Sequence, residues 1–278
     1  MTDQLHIVSL GSSFAAGPGI HPQDEPPAAR RSIKNYPHLL ASSLNAKLTD
    51  LTSSGATLLN ITTESQSAPF SKVTFPPQIS KIPNDVDIIT ITAGGDDLGY
   101  IGGIFKDVWN NAWYGKAINF FIKVFRGFTS LLRKTPSDEA TGDLSPKELV
   151  DRMGTTVDEI HQKFPKAHIF LVEYLALFGP ETKPGRDVGF SQERIDHHRN
   201  VASVLQSAYG EVSSTRSEWC TRVPMHIHSQ SNALGSKEPW VEGLSIRLLF
   251  QRGPMFHPNL KGMEAVANQL STLIKNDK

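Results

Sequence analysis

The chain reads as an α/β protein: a parallel sheet of about five strands with helices on both faces. Three observations carry this reading. Short apolar, β-branched runs alternate with segments of helical periodicity from end to end, the order that builds parallel sheets through crossover helices. The runs end in turns rich in Gly, Ser and Asp. No internal repeat, low-complexity tract or linker interrupts the alternation, so residues 1–278 are expected to form one domain, with an insertion at about 98–141.

Leu5–Leu10 is a short apolar run ending at Gly11, a buried strand entering a turn. Residues 17–34 carry Pro, Gly and charges without periodicity and read as a loop. In Tyr36–Leu44, Leu39, Leu40 and Leu44 fall at helical spacing and Pro37 is tolerated in the first turn. Lys47–Thr52 is the second expected strand and Asp85–Thr92 the third, its last five residues all β-branched. Ser145-Pro-Lys-Glu148 is a capping box, which starts a helix running to about Lys163. Ala167–Glu173 is the fourth strand. Gln192–Trp219 is a long helix with Ile195, Val201, Leu205, Ala208 and Val212 inward. Arg222–His228 is the fifth strand, and Gly262–Lys275 the last helix.

Lys+Arg is 28 and Asp+Glu is 28. A neutral chain argues against a nucleic-acid coat or a polybasic membrane protein, since both need a net positive field. The single cysteine, Cys220, excludes an intramolecular disulfide and a CxxC metal site. The N-terminus has no basic stretch followed by an apolar run, and no window approaches 18 uncharged apolar residues, so the expectation is a cytoplasmic protein.

The stretch Leu98–Lys134 concentrates aromatics, among them Trp109, Trp113, Phe121 and Phe125, with six Lys/Arg against one acid, Asp107. It follows the third strand, and in open α/β sheets ligands bind beyond the carboxyl ends of the strands. Trp109, Trp113, Phe121 and Phe125 are therefore candidate walls of a pocket for an apolar ligand. The competing reading is a pair of ordinary helices with solvated charges. A membrane-surface role is a third, less favoured reading.

Four loops carry candidate chemistry. Gly11-Ser-Ser-Phe-Ala-Ala-Gly17 follows the first strand, and a serine on such a turn is exposed, with its N–H aimed outward. There is no GxxxxGK[ST] or GxGxxG, so a phosphate loop is not indicated. Ser53-Ser-Gly55-Ala-Thr57 closes the second strand, where a glycine lets the backbone approach a ligand. Gly94-Gly-Asp96-Asp97 closes the third. Its acids lack further ligands nearby, which disfavours a metal, and no cofactor is expected. His257-Pro-Asn259 precedes the last helix, and a histidine beside a serine can take and return its proton. His197-His198 reads as a solvated helix face, and His226 and His228 as one face of a strand.

Together and in this order, GSSFAAG, SSGAT, GGDD and HPNxxGM resemble the blocks of the SGNH (GDSL) hydrolase family, and Arg31-Ser-Ile-Lys-Asn-Tyr-Pro37 with HLLA resembles its secreted bacterial esterase branch and fungal relatives. The resemblance implies a flavodoxin-like three-layer α/β/α fold. It also implies hydrolysis of a hydrophobic carboxylic ester (lipase or esterase) through a serine acyl-enzyme. On that resemblance Ser13 is the nucleophile, His257 the general base and acid, and the oxyanion hole is the N–H of Ser13, the N–H of Gly55 and the side chain of Asp96. A biosynthetic acyltransferase using the same site, or a binding protein keeping the fold, are the alternatives.

The chain departs from the family pattern in three places. Ser12 stands where the family usually has Asp. Pro254 stands where the acid precedes the histidine, and its carbonyl is expected to hold the imidazole instead. Asp96 stands where the family has Asn, and an ionised aspartate cannot donate to an oxyanion. Either Asp96 is protonated, or it points elsewhere, or ester turnover is slow.

Overall fold

The computed structural model describes residues 4–68, 71–111, 144–244 and 255–276. Most of the expected insertion, with Trp113, Phe121 and Phe125, lies outside the described residues, as does Pro254.

Five strands form one parallel sheet: β1 (His6–Gly11), β2 (Lys47–Asp50), β5 (Ile88–Thr92), β6 (His168–Val172) and β7 (Cys220–Val223), in the order β2-β1-β5-β6-β7. β1 and β5 are buried along their whole length, as strands covered on both faces must be. A two-stranded antiparallel ribbon, β3 (Gln66–Ser67) and β4 (Thr74–Phe75), stands apart and left no periodic signal in the sequence.

The chain goes from β1 outward to β2, then returns past β1 to β5, β6 and β7. Right-handed crossovers therefore place α2 (Tyr36–Leu44) on one face, and α5 (Pro146–Lys163) and α6 (Gln192–Ser214) on the other. α8 (Leu260–Asn276) packs on α2, and α5 packs on α6. The capping box expected at Ser145 is formed, with its hydroxyl and the Glu148 carboxylate bonded reciprocally.

The strand order reverses between β1 and β5, whose carboxyl ends form the crevice of a doubly wound sheet. Gly11 lets the two ends meet there. Its φ is +128°, and a Cβ would lie 2.2 Å from the Thr92 carbonyl oxygen, so no other residue fits. The following Ser12 N–H donates to that same carbonyl at 2.9 Å.

Two expectations fail on tertiary grounds. The fifth strand ends at Val223: Pro224 cannot donate to a ladder, and His226 and His228 lie instead on a short helix, α7 (Met225–His228). His198 is not on a solvated face. It is buried, and its Nε2 lies 2.7 Å from Asp107 on α4 (Tyr100–Asn111), which also receives Arg194.

Candidate active site

Ser13 opens the short helix α1 (Ser13–Ala16) directly after β1. The first-turn amides of a helix have no intrahelical acceptor. Among the described residues no group takes the Ser13 N–H, and none takes that of Gly55. Gly55 is exposed with φ +84°, a left-handed turn open to glycine. The Gly55 loop is drawn to the serine by Ser53 N–H, which donates to Gly11 O at 3.0 Å.

His257 arrives from the opposite end of the chain. Its loop is sewn to residues 240–242: Phe256 N–H donates to Glu242 O, Glu242 N–H to His257 O, and Asn259 N–H to Trp240 O. Nε2 of His257 stands 2.8 Å from Ser13 Oγ, and Nδ1 stands 2.8 Å from the Met255 carbonyl oxygen. A carbonyl only accepts, so the proton sits on Nδ1 and leaves Nε2 bare to accept from the serine hydroxyl. Phe256 between them has φ +60°, a costly conformation for a bulky residue, and turns the ring back toward a carbonyl two residues upstream. Among the described residues the acceptor is thus the Met255 carbonyl; Pro254, whose carbonyl was expected in this role, lies outside the described residues.

Both members are nearly shut off from water, Ser13 at 8% exposure and His257 at 9%. Burial pushes the His257 imidazole down to about 4, since desolvation disfavours the cation, and the nearby Arg30 charge adds to this. The ring is therefore neutral, and able to accept a proton, at any pH above that.

Asp96 lies in the loop that follows β5, with the Ser12 side chain beside it. Desolvation pushes its carboxyl up to about 6, and the charge of Asp97 adds to the rise. Ser12 Oγ lies 2.9 Å from the Tyr174 hydroxyl, which accepts the Gly95 N–H at 3.2 Å. Gly95 donates to Tyr174, and between the Tyr174 hydroxyl and Ser12 Oγ either can donate. Tyr174 carried no sequence signal because it follows β6, far from the four blocks. The adjacent acid has a different role. Asp97 is buried, with one oxygen taking the Leu58 N–H at 2.9 Å at the start of α3 (Leu58–Thr62) and the other taking Arg152 at 2.9 Å. No cluster of three metal-ligating side chains occurs among the described residues.

Aromatic rings also surround the couple. The Phe14 ring lies 5.3 Å from that of His257, and Phe105 of α4 meets Phe256 edge-on at 5.6 Å. Trp109 lies one turn further along α4 and is 40% exposed.

A family description, the GDSL-like lipase/acylhydrolase family, matches residues 9–265. The chain belongs to this family. A curated relative, Lipase 2 of Streptomyces coelicolor, is 37% identical over 102 residues, which cover 34% of this chain and 31% of that protein. Among solved structures, phospholipase A1 from Streptomyces albidoflavus NA297 superposes with a TM-score of 0.69 at 15% identity, covering 98% of this chain and 99% of that one. The extracellular lipase of Streptomyces rimosus gives 0.67 at 18% identity, covering 95% and 98%. At these identities the two structures speak to the fold, which is that of the GDSL family. No helix among the described residues is long and apolar enough to cross a membrane.

Proposed function

We propose that this GDSL-family chain hydrolyses carboxylic esters of hydrophobic substrates through an acyl-enzyme on Ser13. The observation that carries the reading is the 2.8 Å contact between Ser13 Oγ and an Nε2 left bare by the Met255 carbonyl. Ser13 Oγ attacks the ester carbonyl carbon while its proton passes to His257 Nε2. The tetrahedral oxyanion lies against the N–H groups of Ser13 and Gly55. It collapses, the C–O bond to the alcohol breaks, and His257 returns the proton to the leaving alkoxide. Water then repeats the cycle on the acyl-enzyme, releasing the carboxylic acid and restoring Ser13. Met255 does the work usually given to an acid: it holds the tautomer and the ring.

Asp96 is the third oxyanion group of this reading. As a neutral carboxyl it donates to the oxyanion, and as a carboxylate it repels it. Losing one such donor costs about 3–4 kcal/mol, or on the order of 10²–10³ in rate. The substrate's apolar part runs along α4 beside Phe105 and Trp109. The partner is a small ester or acyl compound, with no nucleic acid.

Fluorophosphonate labelling tests the proposal. Ser13 becomes modified and p-nitrophenyl esters turn over, Ser13→Ala abolishes both, and His257→Ala weakens labelling. An unlabelled, folded wild type would favour a binding protein that keeps the fold, a reading that draws on the Asp96 substitution. Product analysis with an added alcohol separates transfer from hydrolysis.

A further inference from the structure

We infer that Gln66 is a positioning residue of the reaction: it holds the carbonyl of the Ser54–Gly55 peptide and thereby aims the Gly55 N–H at the oxyanion. The inference rests on the hydrolase reading above and goes beyond it to a residue outside the four blocks.

The turn that carries Gly55 has two ways to close. Ala56 N–H donates to Ser53 O at 3.1 Å, which makes a β-turn with Ser54 and Gly55 at its centre. The turn is tied to its surroundings, since Ser53 N–H donates to Gly11 O at 3.0 Å and Ser54 N–H to Ala29 O at 3.0 Å. Gly55 has φ +84° and Ser54 is not left-handed, which makes the turn type II. A type I turn closes with the same end bond. The two differ by a half-rotation of the central peptide, Ser54–Gly55, and glycine tolerates both. That rotation decides on which face of the turn the Gly55 N–H lies.

The Gln66 amide fixes the choice. A peptide is planar and trans, so its C=O and N–H point in opposite directions. Gln66 Nε2 donates to Ser54 O at 2.8 Å. A carbonyl oxygen only accepts, so it is the NH2 group of the amide that faces it. With the carbonyl held on that side, the N–H of the same peptide faces away from Gln66, and no group among the described residues takes it. The bond at the carbonyl also polarises the peptide and makes its N–H a stronger donor. Gln66 is buried, at 7% exposure, and lies in β3, which pairs with β4. The small antiparallel ribbon thus serves the oxyanion hole.

Two substitutions of similar size test this. Gln66→Met keeps length and bulk without a donor, and Gln66→Glu sets an acceptor against the Ser54 carbonyl. Each is expected to lower kcat for a p-nitrophenyl ester by about tenfold to 10²-fold, toward the cost of a lost oxyanion donor. KM stays within about twofold, because the aimed N–H acts on charge that develops only in the transition state. A second readout isolates the hole. Sulfur is a weak hydrogen-bond acceptor, so the wild type favours the p-nitrophenyl ester over its thionoester, and Gln66→Met shrinks that preference by about the factor lost from kcat. Where esters turn over too slowly, the rate at which fluorophosphonate modifies Ser13 supplies the comparison, because the phosphonyl oxygen enters the same hole. Urea midpoints establish that the variants are folded, and Gln66→Met carries the test should Gln66→Glu fail to fold. A wild type labelled at Ser13 whose Gln66→Met variant keeps its rate, or loses rate with the ester-to-thionoester preference unchanged, overturns the role of Gln66 alone. Absence of both turnover and Ser13 labelling in the wild type overturns the hydrolase reading and this inference with it.

Discussion

Ser12 Oγ lies 2.9 Å from the hydroxyl of Tyr174, which takes the Gly95 N–H at 3.2 Å, and the same Ser12 side chain lies beside Asp96. In the proposed reaction Asp96 is a titratable third oxyanion group.

The first prediction concerns pH. Activity needs His257 neutral, which sets a rising limb near pH 4, and Asp96 protonated, which sets a falling limb near pH 6. kcat/KM for a neutral ester is therefore expected to peak near pH 5. Asp96→Asn removes the falling limb and raises the rate at pH 8 on the order of 10²-fold. An Asn variant that keeps the alkaline decline places Asp96 away from the oxyanion.

Stability responds to the same groups with opposite signs. The buried His257 imidazole falls from 6.5 to about 4 on folding, so the unfolded chain holds that proton more readily. Its contribution is complete above about 6.5 and is lost as pH drops toward 4, an effect of about 3 kcal/mol at most. The raised Asp96 carboxyl acts the other way, its contribution present below 3.8 and lost as pH rises through about 6. Urea midpoints of His257→Gln and Asp96→Asn across pH 4–8 separate the two. A His257→Gln protein whose pH dependence between 4 and 6.5 equals the wild type's contradicts the assignment.

Tyr174→Phe deletes the hydroxyl that takes the Gly95 N–H and meets Ser12. Leaving those groups unsatisfied in a buried site costs about 1–3 kcal/mol, readable in the urea midpoint. Because Ser12, which loses this partner, lies beside Asp96, the falling limb of the pH profile is also expected to move. A stability loss with an unmoved limb restricts Tyr174 to packing.

Gly11→Ala brings a Cβ to 2.2 Å from the Thr92 oxygen at φ +128°. The contact involves backbone on both sides and cannot be relieved by a rotamer, so the variant is expected to fold poorly, with a loss of about 3 kcal/mol or more. A soluble variant with the wild-type melting temperature contradicts the close approach of β1 and β5.

Asp97→Asn tests the separation of the two adjacent acids. Asp97 binds Arg152 and caps α3 at the Leu58 N–H, so its loss destabilises by about 3–5 kcal/mol. The pH limbs of the enzyme that remains folded stay within about a unit of the wild type's. A lost falling limb would make Asp97 the titrating group.

The alternation of β-branched runs and amphipathic segments determined the parallel sheet without tertiary information, because strand and helix periodicity are local properties of the chain. Ile88–Thr92 and Pro146–Lys163 stand where their residues required. The four loop blocks, each closing a strand or opening a helix, made Ser13, Gly55, Asp96 and His257 candidates through their resemblance to the family's blocks. Tertiary structure alone decided what those residues touch. Only the structure shows the Met255 carbonyl behind His257 Nδ1, reached through the left-handed turn at Phe256. The sequence assigned Asp97 no role of its own, but the Leu58 amide and Arg152 draw that acid inward. It read His198 as solvated, but Asp107, 91 residues earlier, buries it. Each of these outcomes is set by a partner distant in sequence or by a single φ angle, neither of which a local pattern of residue types encodes.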